Sequence, residues 1–185
     1  AVVHNPVSNL KLGSGIMPYY KLADAGINIC LGTDGMSTND SNNILEVMKA
    51  AALLHKVTQP DFHKWPSSDA VFLMATNNAA RSVLRTDEIG SIEPGKKADM
   101  VVFDLNTFAL APETNMKNLL IYRENGKSID KVIARGKLVM DDHKILTVNE
   151  EAIFSELRQS WAEYRPGFEK AVKKMEEVAA YLEWM

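Results

Sequence analysis

INICLGTDGMSTNDSNN, residues 27–43, decides how this sequence is read. Ile27, Ile29, Cys30 and Leu31 form a short apolar run bounded by turn residues, the pattern of a buried β-strand. The run ends in Gly32-Thr33-Asp34-Gly35. A core strand that stops at a carboxylate between two glycines has two explanations. Asp-Gly is a common turn, and Asp34 can cap a nearby amide there. Alternatively, the glycines relieve crowding around a carboxylate with chemical work to do. In parallel α/β folds functional groups gather at the carboxyl ends of strands, where the loops converge.

Outward from this stretch, the first half alternates strands and helices. Residues 1–4 read as a strand and Asn5 to Gly15 as a polar loop. A helix opening at Pro18 is expected to stop at Gly26, before the strand of Ile27 to Leu31. After the polar loop of residues 32–43, a helix capped by Asp40 or Ser41 carries Ile44, Val47, Met48, Ala51 and Leu54 on one face. Ser67 or Ser68 caps a third helix, and a fourth lies near residues 78–84. Strand-helix-strand-helix order implies parallel strands joined by helical crossovers. From Asp87 the texture changes. GSIEPGKKADMVVFDL (90–105) is a Pro-Gly turn followed by a strand, and KVIARGKLVMDDHKI (131–145) is a hairpin turning at Arg135-Gly136. Residues 149–163 and 166–184 read as two helices broken at Pro166-Gly167. The second carries a stripe of Phe168, Val172, Met175, Val178 and Leu182 that needs a packing partner.

Composition narrows the function. The chain has 185 residues, 46% of them apolar, and a net charge of −3. That is enough for one ordinary core. The absence of any basic block argues against a nucleic-acid partner, and no apolar run is long enough for a transmembrane helix. A single cysteine, Cys30, fits a reducing, cytoplasmic setting. The opening AVVHNP reads as a strand already under way, so part of a longer protein is expected.

Asp34 can hold a divalent metal through oxygen or take a proton from an attacking water. A catalytic zinc needs about three protein ligands, usually including histidine. The histidines are His4, His55, His63 and His143, with no pair at ligand spacing. His55 falls one position off the apolar stripe of its helix and reads as a surface or packing residue. His63 and His143 read as solvated loop residues. Only His4 shares a strand-end position with Asp34.

HNPVSNLKLGSGIMP from His4, LGTDG thirty residues on, and SNN opening a helix together resemble the metal-dependent amidohydrolases. The nearest branch is that of the 5-methylthioadenosine/S-adenosylhomocysteine deaminases and triazine chlorohydrolases. GSIEPGKKADMVVFDL and VIARGKLVMDD resemble the β-sandwich segment these enzymes carry after the barrel. The resemblance implies an α/β fold, the C-terminal part of a (β/α)8 TIM barrel plus a small β-sandwich segment and a helical tail. The expected divisions are residues 1–88, 89–148 and 149–185. It implies one divalent metal, zinc or less often iron, in the intact enzyme. Asp34 takes the place of the family's metal-ligand aspartate, which also shuttles a proton. His4, Ser8 and Asn9 take the places of residues that support that aspartate or line the pocket. Asn39 to Asn43 brace the loop or cap the next helix, and Asp99 is structural. The implied reaction is hydrolytic deamination of an adenine-type nucleoside by metal-activated water. The alternatives are guanine deamination, triazine chlorohydrolysis or aminohydrolysis, and a non-catalytic interaction module. The family's other histidine ligands and its glutamate have no counterpart here, so the chain alone is expected to hold no catalytic metal and to be inactive. A small-molecule substrate and a homo-oligomer complete the expectation.

Overall fold

A computed structural model describes residues 1–182. The chain divides into two units, Ala1–His143 and a second that begins at Lys144.

The first unit opens with β1 (Val2–His4), α1 (Pro6–Lys11), α2 (Tyr19–Asp24) and β2 (Ile29–Leu31). β1 and β2 pair in parallel, Val2 opposite Ile29 and His4 opposite Leu31. Residues paired across a sheet share a face, and successive residues alternate. His4, Ile29 and Leu31 therefore face one side, and Val3 and Cys30 the other. Ile29 and Leu31 enter the core formed with α4 (Ile44–Thr58), α5 (Ser68–Ala75) and α7 (Met116–Tyr122), around Val47, Met48, Ala51, Val71, Met74 and Ile121. Two further helices, α3 (Met36–Asn39) and α6 (Asn77–Ser82), lie between these elements in sequence. β3 (Met100–Phe103), β4 (Ile129–Ala134) and β5 (Lys137–Asp141) form an antiparallel sheet. Asp99 accepts a hydrogen bond from the Arg135 amide at 2.6 Å, tying the β4–β5 turn to the start of β3.

Four local expectations are corrected. Asn5 to Gly15 is not all loop: Pro6 sits at the first position of α1, where its missing N–H costs nothing. α4 starts at Ile44 rather than near residue 40, because Asn43 Oδ1 accepts from the Leu45 amide at 3.0 Å and caps it. Its buried face is Val47, Met48, Ala51, Ala52 and His55, while Ile44 is exposed, so His55 lies on the stripe and not beside it. Ser67 caps α5.

The fourth correction is in the second unit, where α8 (Glu150–Leu182) runs through Pro166 without a break. Pro166 forfeits one backbone bond, a cost of about 3 kcal/mol in an isolated helix. Interactions on both sides of it hold the helix together. Trp161, Tyr164 and Phe168 cluster with centroids 5.5–6.3 Å apart, and Arg165 pairs with Glu169 at 2.7 Å. The stripe residues Phe168, Val172, Met175 and Val178 are exposed, and the side chain of Leu182 lies outside the described residues. Among the described residues no helix is long and apolar enough to cross a membrane.

α7 had no sequence signal in the expectations above, yet Ile121 is fully buried between α4 and α5 partners. Ile121→Ala is expected to lower the unfolding free energy by about 2–5 kcal/mol in urea titrations. Phe108→Ala, at a residue 98% exposed, is expected to change it by less than about 0.5 kcal/mol.

Candidate functional site

Three residues beyond β2, Asp34 adopts φ +63°. A left-handed aspartate is tolerated where its carboxylate bonds locally, and Oδ1 accepts from the Gly35 amide at 2.8 Å. The expected division of labour between the glycines is therefore different from what the sequence implied. Gly35 has φ −80°, and a Cβ there would make only ordinary contacts, 3.8 Å to Thr38 Oγ1 and 3.9 Å to Ser37 Oγ, so Asp34 itself carries the unusual backbone. Gly32 is needed for close approach: a Cβ there would lie 2.5 Å from Asn5 Oδ1 and 2.9 Å from Val3 Cγ1. Glycine at 32 lets β2 leave the sheet tight against the end of β1.

The second carboxylate oxygen of Asp34 accepts from Ser8 Oγ at 2.7 Å. Ser8 is buried on α1, and the backbone brings it there because α1 starts two residues after β1 ends. The Ser8 hydrogen bond, then that of Gly35, holds the Asp34 carboxyl below the usual carboxylate range. A salt link from Lys11 to Asp40 and a bond from Lys11 Nζ to Ser37 O at 3.4 Å join the same two segments again. Asn39 Nδ2 donates to Thr33 O at 2.6 Å and closes the loop from below. Asn9 is half-buried. Its amide donates to Asn5 O at 3.0 Å and its carbonyl accepts from Ser14 at 2.9 Å, which fixes the turn after α1.

His4 is 2% exposed and bonds to His55, not to Asp34. Their Nε2 atoms are 3.0 Å apart. One ring donates and the other accepts, so the accepting ring is neutral. Tyr19 stacks on His55 with centroids 5.1 Å apart. Burial, then repulsion from His55, pulls the His4 pKa down to about 4. His55 is lowered too, by burial. Sequence reading missed this pair because it anchored the α4 face on Ile44 and Leu54. The spacing of His55 at i+4 from Ala51 and i+7 from Met48 was the available signal.

Among the described residues, no group of three or more His, Cys, Asp or Glu side chains could hold a metal ion. Asp34 is an exposed, ionised carboxylate just beyond a strand end. His63 and His143 lie elsewhere on the surface.

The sequence profile of the Amidohydrolase family matches residues 1–139. A 5'-deoxyadenosine deaminase of Methanosarcina acetivorans is 40% identical over 85% of this chain and 36% of its own length. A 5-methylthioadenosine/S-adenosylhomocysteine deaminase of Caldanaerobacter subterraneus is 41% identical over the same shares. Among solved structures, an adenosine deaminase from Xanthomonas campestris with bound zinc superposes with a TM-score of 0.83 at 32% identity, over 89% of this chain and 37% of that one. The chain thus spans little more than a third of the length of the relatives it matches.

Two outcomes are expected. Ser8→Ala should raise the titration midpoint of the Asp34 carboxyl towards the ordinary aspartate value, followed by carboxyl-carbon NMR; an unmoved midpoint would mean that the Ser8 bond is not made in solution. The His pair predicts a pH effect on stability. Above pH 6.5 folded and unfolded states are both neutral at His4. Below it the unfolded chain takes up a proton that the folded one refuses until about pH 4. Stability should fall by about 3 kcal/mol across that window. The double replacement His4→Phe with His55→Leu should flatten this part of the urea-unfolding profile.

Proposed function

The chain belongs to the amidohydrolase family, and on that premise we propose that it contributes the proton-handling aspartate to hydrolytic deamination of an adenine-type nucleoside. The observation that carries the reading is the Asp34 carboxylate, presented at the end of β2 and held by Ser8 and Gly35. The fold that holds it is read as the C-terminal part of a (β/α)8 barrel, which the likeness to amidohydrolase structures supports.

The chemistry fits the residue. Replacing a ring amino group with oxygen needs a water that loses a proton and an amine that gains one. A divalent metal, with zinc as the choice supported by the Xanthomonas structure, supplies a water acidic enough to ionise near neutrality. Asp34 is ionised at neutral pH, so one oxygen can face a cation while the other keeps the Ser8 bond. With its pKa depressed, Asp34 is a weak base that would take a proton only from a water the metal had made acidic, and would give that proton up readily to the departing ammonia. Ser8 keeps the carboxylate from rotating. Lys11 and Asn39 fix the loop around it. His4 and His55 act one layer away, fastening the end of β1 to α4.

The substrate class rests on the names of the relatives: 5'-deoxyadenosine, 5-methylthioadenosine and S-adenosylhomocysteine all present the same adenine amino group. Among the described residues the side chains fit a contribution to a metal site, through Asp34, and not a whole one, so by itself the chain is inactive in this reading.

The polypeptide in which these residues occur is expected to release ammonia from these three nucleosides. Asp34→Asn should lower kcat by at least about 100-fold. The 185-residue chain alone should hold well below one zinc per chain by elemental mass spectrometry and release no ammonia. Full activity in Asp34→Asn would remove Asp34 from the mechanism. One tightly held zinc per isolated chain would require a different ligand set.

A further inference from the structure

α8 presents an apolar seam with a repeat of seven. Phe154, Trp161, Phe168 and Met175 recur every seven residues. Leu157, Tyr164, Ala171 and Val178 follow each of them by three. These are the a and d positions of four successive heptads, with no polar residue among them. All eight are exposed in the structure, from 43% at Phe168 to 71% at Met175 for the larger ones. Pro166 falls at an f position, opposite the seam, where its lost hydrogen bond faces solvent and no partner meets its ring. A seam this long, on one continuous helix, matches another helix better than a domain surface, which would call for a broader stripe.

We infer that this face pairs with α8 of a second copy of the chain, the two helices running antiparallel about a two-fold axis near residue 166. Two observations choose the occupant and the direction. The first is side-chain size. Antiparallel pairing puts each a residue against a d residue, so Trp161 meets Ala171 of the second copy and Tyr164 meets Phe168. The largest seam residue then lies over the smallest, and two aromatic rings face each other. Phe154 with Val178 and Leu157 with Met175 complete the layers. Parallel pairing would stack two tryptophans in one layer and leave two alanines facing a void in another. The second is charge. Residues 150–164 carry four glutamates and one arginine, whereas 165–179 carry three glutamates against four lysine or arginine residues. Antiparallel copies place each acidic half beside a basic one, and parallel copies would set acidic against acidic.

The test uses the intact chain. Sedimentation equilibrium across a concentration series should show a reversible dimer. Met175→Glu, which buries a charge in the seam away from the aromatic cluster around Pro166, should weaken it at least about tenfold. Gln159→Glu, the same charge placed at an f position, should leave it unchanged. Direction is read by oxidation. A Trp161→Cys chain mixed with an Ala171→Cys chain should form a disulfide-linked heterodimer, while neither forms a linked homodimer alone. Linked homodimers in the separate samples would overturn the antiparallel register. A monomer at all concentrations, or association that Met175→Glu leaves intact, would overturn the pairing itself and assign the face to some other occupant.

Discussion

The parallel register of β1 on β2 is the constraint from which the site follows. Val2 opposite Ile29 fixes which residues look towards the helices and which look away. It turns His4 towards α4 and brings Asn5 over Gly32 at a distance that only glycine allows. A shift of one residue would turn every side chain to the other face. His4 would then lose His55. With the register fixed, α1 starts at a set height and Ser8 reaches Asp34 without further adjustment. Strand pairing, a glycine and one hydroxyl are thus enough to aim a carboxylate.

The parts of the fold legible in the sequence were those with a local cause. The apolar run of β2, the Ser67 cap, and the hairpin turning at Arg135-Gly136 each carry their own signal within a few residues. The parts that were missed depend on partners distant in sequence. α7 is short and carries no strong signal as a sequence, and its Ile121 is buried only because α4 and α5 arrive from more than 40 residues earlier. α8 shows the reverse case. Pro166 is a strong local stop signal, and it is overridden by aromatic and ionic contacts between neighbouring turns of the same helix.

The site was legible to the same degree and for the same reason. Asp34 stands out because a carboxylate after a core strand is locally odd. The Asx-type bond to Gly35 and the strand-end position turn out to be compatible: the carboxylate caps one amide with Oδ1 and remains exposed. The turn explanation and the functional one therefore did not compete. His55 was hidden because a histidine on an apolar helical stripe carries no sign of what it faces. Only the β1 register shows that another imidazole lies 3.0 Å away.

That pair raises the question of why two polar rings are buried where two apolar ones would fit. Apolar side chains of similar size would recover the burial energy without the penalty of His4 Nδ1, which has no hydrogen-bond partner. What they would lose is direction. Contacts between aliphatic groups are non-directional and tolerate sliding of a helix over a strand. A single N–H···N bond does not, because its strength falls steeply with misalignment. α4 is held to β1 at one height by this bond, and Asn43 at the start of the same helix follows directly on the Asp34 loop. The helix that closes the loop and the strand that begins α1 are thereby locked together. The two segments whose side chains meet at Ser8 and Asp34 hold their spacing through a bond that neither of them makes.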